Sequence, residues 1–147
     1  MDEIRIMQLG AQGFCCSQIL MLLTLEDMAE ENIPLVRAMA GLCEGSGAGE
    51  LCGVASGATC VLALYTAKGL ADEQALPLLP LITGQFMDWF REYSTPWGGM
   101  RCEEILAAQG GQRPEVCATI MTQARATLLG LLAEHGIDPS MPRSDHG

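Results

Sequence analysis

Seven cysteines stand among the 147 residues, and they are the side chains here most able to do chemistry. As thiolates, cysteines attack, exchange with disulfides and bind metal. An odd number excludes complete internal pairing. No two cysteines stand at CxxC spacing: Cys15 and Cys16 are adjacent, and the rest lie far apart. Zinc-ribbon spacings are therefore absent, and any shared site must be assembled from distant elements. In a reducing compartment such a count points to redox or metal chemistry rather than to structural disulfides. The histidines, His135 and His146, both fall at the carboxyl end, so a Cys–His nucleophile pair has little to draw on. His135 reads better as a cation at a helix end. Trp89, Phe90 and Trp97 read as core or loop anchors, and the acids as solvated helix faces.

The elements that must position the cysteines follow from glycine and proline punctuation. Residues 2–10 predict a short helix with Ile4, Met7 and Ile6 inward. A second helix opens at 14–18 after Gly13 and runs to about 31. Pro34 starts a third, with Leu35, Met39 and Leu42 apolar and Cys43 in its last turn. The glycine-rich turn 45–49 then leads into an uncharged run, residues 51–67, read as a buried central helix. Gly53 and Gly57 lie four apart on one face of it, and a close neighbouring backbone is the expected reason. Asp72 is expected to cap a helix over about 73–93, with Pro77 and Pro80 near its start and Ile82, Phe86, Trp89 and Phe90 inward. A loop follows at 94–99, a short helix at 101–108, a break at 109–112, and a last long helix at about 113–135. Ile120, Ala124, Leu128, Leu131 and Leu132 form its apolar face.

On these elements four cysteines share a position. Cys16, Cys52 and Cys102 each fall in the first turn of a helix, and Cys117 lies one turn in from Pro114. A helix N-terminus carries about half a positive charge and unpaired amide donors, so a thiol pKa there is expected to fall. Cys15, Cys43 and Cys60 lie outside this set, with Cys60 read as a buried small hydrophobe.

Composition bounds the rest. Hydrophobic residues make up 49% of the chain and aromatics 5%, which suits packed helices better than sheets. The expected fold is all-α, an irregular bundle of six or seven helices around the central small-residue helix at about 50–68. One domain is expected over 1–136, with a frayed tail over 137–147. The net charge of −10 opposes nucleic acid and anionic lipid as partners. The 51–67 run falls short of the roughly 20 residues of a membrane span. No Gly-Lys-Ser/Thr follows the glycine turn, and Glu44 and Glu50 flank it, so nucleotide binding is disfavoured. The acidic opening Met1-Asp2-Glu3 does not read as a signal peptide, and a cytoplasmic location is expected.

The residues resemble the redox-active family named for the pattern C-GCAxxG-C-C, also written CGAxxG. The segment Gly13-Phe14-Cys15-Cys16-Ser17-Gln18 is similar to the family's first cysteine segment, with Cys16 the match and Cys15 extra. Cys52-Gly53-Val54-Ala55-Ser56-Gly57 is similar to the central motif, with Val54 where the family usually has Ala. Cys102 and Cys117 would be the last two hallmark cysteines. The resemblance implies a redox role, inferred from the cysteines and from neighbouring oxidoreductase or transporter genes. Three readings stand open. Cys16, Cys52, Cys102 and Cys117 act as redox-active thiols, with an oxidoreductase or other redox partner protein. Alternatively, the same four hold zinc or an iron–sulfur cluster. In the third reading the chain is a structural accessory whose buried cysteines are inert.

Overall fold

The computed structural model describes residues 2–110 and 113–143. Among them the chain forms seven α-helices: α1 Asp2–Ala11, α2 Cys16–Met28, α3 Ile33–Met39, α4 Gly53–Thr66, α5 Leu78–Tyr93, α6 Cys102–Ala108 and α7 Arg113–Glu134. The architecture is an all-α bundle. α4 lies at its centre and packs on α2, α5 and α7. Val54, Ala55, Ala58 and Leu62 of α4 are fully enclosed, as are Leu20 of α2, Phe86 and Phe90 of α5 and Ala124 of α7. Burying a large apolar side chain stabilises by roughly 1.5–3 kcal/mol.

The glycines of α4 explain how tightly it packs. A Cβ added to Gly57 would stand 3.0 Å from both Cα and Cβ of Ser17. One added to Gly53 would stand 2.8 Å from Cys16 Sγ and from the Leu42 carbonyl oxygen. Both glycines therefore face α2 and the segment after α3, as their spacing predicts. A bulkier residue at either position would push the two helices apart.

Three local expectations are corrected. α1 buries Ile6 and Leu9 and leaves Ile4 and Met7 exposed. The face it presents also carries Asp2, which pairs with Arg125 of α7 at 3.3 Å. Arg125 is buried and also meets Asp27 of α2 at 2.7 Å. A buried guanidinium needs its carboxylates, and the Asp2–Ile6–Leu9 stripe is the one compatible with that pairing. α5 begins at Leu78, not near Glu73. Pro77 is its N-cap, and the residue before a proline is pushed out of helical geometry. Glu73 instead accepts hydrogen bonds from the Gly69 and Leu70 amides across a turn. Cys43 ends the third helix rather than lying within its last turn: a 3-10 turn, Ala40–Leu42, continues α3, and Cys43 is its C-cap with extended backbone angles, φ −70° and ψ 148°.

α7 is the one described helix whose length and apolarity would allow a membrane crossing. Its Ile120, Met121, Leu128 and Leu132 are buried within the bundle. The tail is docked through residue 143. Tyr65 donates to the Pro139 carbonyl at 2.9 Å, and Arg143 donates to the carbonyls of Thr66, Ala67 and Gln74. The remainder of the tail, and part of the break at 109–112, lie outside the described residues.

The glycine contacts give the first prediction. Gly57→Leu should destabilise by about 1–3 kcal/mol through overpacking, whereas Leu64→Met should cost less than about 1.5 kcal/mol. Chemical denaturation of the two variants measures the difference.

Candidate functional site

The site begins with how the chain enters four helices. Cys15 is the N-cap of α2, and Cys16 is its first residue. Gln18 closes the cap, its Oε1 accepting from the Cys15 amide at 3.2 Å while its Nε2 donates to the Val36 carbonyl at 3.1 Å. Cys52 is the N-cap of α4 rather than a member of its first turn. Cys102 is the first residue of α6, and Cys117 lies in the second turn of α7.

A short antiparallel bridge between Leu51 and Arg101 joins two of these starts. The Cys52 amide donates to the Met100 carbonyl at 2.9 Å, and the Cys102 amide to the Glu50 carbonyl at 2.6 Å. In this register Cys52 and Cys102 are diagonal neighbours on one face of the bridge. Such neighbours stand roughly 7–8 Å apart. Surface pairs from Arg101 to Glu50 at 3.3 Å and to Glu103 at 2.7 Å flank it.

The loop preceding Cys52 holds an unusual conformation. Glu44, Gly45, Ser46, Gly47 and Gly49 all have positive φ, between 58° and 73°. Non-glycine residues seldom adopt this region. Gly45 is irreplaceable on steric grounds as well, because a Cβ there would collide with the Glu50 backbone. The loop turns the chain from Cys43 back to the start of α4.

Cys16 reaches the same place from α2, its Sγ lying against Gly53. The charges of Cys16, Cys52, Cys102 and Cys117 are close enough to act on one another: a thiolate at Cys16 is opposed by all three others, and one at Cys52 by Cys117 and Cys102. Cys60 is elsewhere. It is half-buried and lines a cavity of about 500 Å³ with Met21, Met39, Leu64 and Arg143.

The electrostatics reverse the expected pKa direction. Burial pushes the Cys16 thiol up to about 12, and repulsion from Cys52 and Cys117 adds to it. Burial pushes Cys52 up to about 11. Backbone amides do act in the expected sense: Ser17 lowers Cys16, and Val54 and Ala55 lower Cys52. They are outweighed because desolvation disfavours the charged form and each further thiolate repels it. Both thiols are therefore protonated at neutral pH.

Sequence reasoning gave Cys15 and Cys43 no partner. The structure joins them in a disulfide with Cα atoms 6.2 Å apart. The contacts that set this pair come from three segments, so no spacing within one element could have shown it. Ser17, also missed, is fully buried beside it. Its hydroxyl lies 2.6 Å from the Met39 carbonyl and 2.9 Å from Cys43 Sγ.

Among the described residues, no group of three or more His, Cys, Asp or Glu side chains is arranged to hold a metal ion.

A family model described as "Putative redox-active protein (C_GCAxxG_C_C)" matches residues 14–130, which span all four clustered cysteines. No curated protein and no solved structure matches the chain.

The raised thiols predict a pH dependence of stability. Their folded pKa values exceed the roughly 8.5 of a free cysteine, so the unfolded chain loses these protons first. Stability from this source is full below about pH 8.5 and falls as pH rises through about 11. The melting temperature should drop over that window. The drop should be shallower in a Cys16→Ser, Cys52→Ser double variant, which retains Tyr65 and the other high-pKa groups.

Proposed function

Because the chain belongs to the C_GCAxxG_C_C redox-active family, we propose that it works by thiol–disulfide exchange at the cluster of Cys16, Cys52, Cys102 and Cys117. The single observation that supports this reading is the pairing of the chain around Cys52 and Cys102 at the starts of α4 and α6, with Cys16 Sγ against Gly53 beside them. Cys16 and Cys52 form the central pair. Two electrons and two protons leave together when such a pair closes to a disulfide, which removes the repulsion between thiolates. Protonated, buried thiols rest unreactive. Once deprotonated they are strong nucleophiles, since intrinsic nucleophilicity rises with pKa. A docking partner that supplies a base or a disulfide would therefore control the reaction.

The counterpart is an oxidoreductase or other redox protein rather than a nucleic acid or a lipid surface. The net charge of −10 favours a basic docking face on it. A cytoplasmic setting fits a protein whose working state is the dithiol.

The test is reversible oxidation of the reduced protein by glutathione disulfide, followed by counting thiols. Cys52→Ser should confine the cycling to the two thiols of the Cys15–Cys43 pair, and Cys60→Ser should leave the cluster's cycling intact. Metal analysis of anaerobically purified protein supplies the contrary outcome. Zinc or iron retained by the wild type and lost from Cys52→Ser would replace exchange with metal binding.

A further inference from the structure

Beside the thiol cluster lies a group that the family's cysteine pattern does not include, the Cys15–Cys43 disulfide. Two contacts bring it against Cys16. The Cα of Cys43 lies 3.3 Å, and Cys16 Sγ 2.8 Å, from the same point, where Gly53 lacks a Cβ. On its other side Cys43 Sγ meets Ser17, the next residue after Cys16, at 2.9 Å. Glycine at 53 thus leaves a gap that Cys16 Sγ and the Cα of Cys43 both border.

We propose that Cys15–Cys43 is a second redox pair, exchanging with the cluster through Cys16; this rests on the cluster being redox-active. In the first step Cys16, as thiolate, attacks Cys43 Sγ. A Cys16–Cys43 bond forms as the Cys15–Cys43 bond breaks. The electron pair leaves on Cys15, which takes up the proton that Cys16 gave up. In the second step Cys52 attacks Cys16 Sγ. A Cys16–Cys52 bond forms, the electron pair returns to Cys43, and Cys43 takes the proton from Cys52. One disulfide and two thiols enter and leave, so no outside oxidant is consumed.

The leaving groups suit these steps. Cys15 is the N-cap of α2, where a thiolate faces the unpaired amides of the first turn. A sulfur stabilised as thiolate leaves faster. Cys43, once protonated, has an acceptor in Ser17 Oγ, whose own proton goes to the Met39 carbonyl. The relay carries oxidising equivalents between the half-buried Cys15–Cys43 pair and buried Cys52 without opening the bundle.

Disulfide mapping by mass spectrometry tests it, using protein reduced, reoxidised with one equivalent of glutathione disulfide and blocked with N-ethylmaleimide. Cys15→Ser, Cys52→Ser is the informative variant, because it lacks both the sulfur that leaves in the first step and the thiol that acts in the second, and serine at an N-cap supports the helix. In this variant Cys43 should be recovered linked to Cys16, and the linkage should disappear when Cys16 is also replaced by Ser. Wild-type protein should show Cys15–Cys43 and Cys16–Cys52 as alternative single disulfides, because one equivalent closes one bond per chain. Recovery of Cys43 as a blocked thiol in Cys15→Ser, Cys52→Ser, with Cys16–Cys52 still forming in the wild type, overturns the relay and leaves the cluster reading intact. Absence of Cys16–Cys52 from the wild type overturns the cluster reading, and the relay with it.

Discussion

The close approach of α2 and α4 is the constraint on which the rest of the structure depends. It exists because α4 presents Gly53 and Gly57 to α2, where a Cβ at Gly57 would stand 3.0 Å from the Ser17 backbone. Everything of chemical interest hangs from that contact. Cys16 leads α2 and Cys52 caps α4, so bringing the two helices together brings their first residues together. Ser17 and Cys43 lie in the same seam. The glycines forgo helix propensity, about 1 kcal/mol each against alanine, and gain an approach to Cys16, Ser17 and the Cys43 backbone that no larger residue would leave.

Around that contact the chain spends irregular backbone on positioning. The left-handed run from Glu44 to Gly49 reverses direction in a few residues and delivers Glu50, Leu51 and Cys52 to their pairing with Met100, Arg101 and Cys102. Without it α4 and α6 would not start side by side. Strained conformations persist only where surrounding structure holds them. Here the bridge on one side and the packing of α4 on the other supply that hold.

The same convergence sets the balance of charge. Helix amides at the starts of α2 and α4 favour thiolates, yet burial and mutual repulsion carry Cys16 and Cys52 the other way. A lone exposed cysteine at such a helix end would be acidic and reactive. Gathered and enclosed, Cys16 and Cys52 are held as neutral thiols.

Much of this was legible in the sequence, and the boundary is physical. Helix class, the starts of α2, α4 and α6, and the glycine face of α4 were decided by residues within a turn or two of each other: a cap, a glycine pair, a proline. Those are local interactions, and local sequence encodes them. The start of α5 was also written there, in Pro77, but the more distant Asp72 was given the cap. Tertiary structure alone decided which stripe of α1 faces inward, because the answer lay in Arg125, more than a hundred residues away. It alone joined Cys15 to Cys43. It alone reversed the thiol pKa values, because desolvation is a sum over groups from several helices, and no single stretch of chain contains that sum.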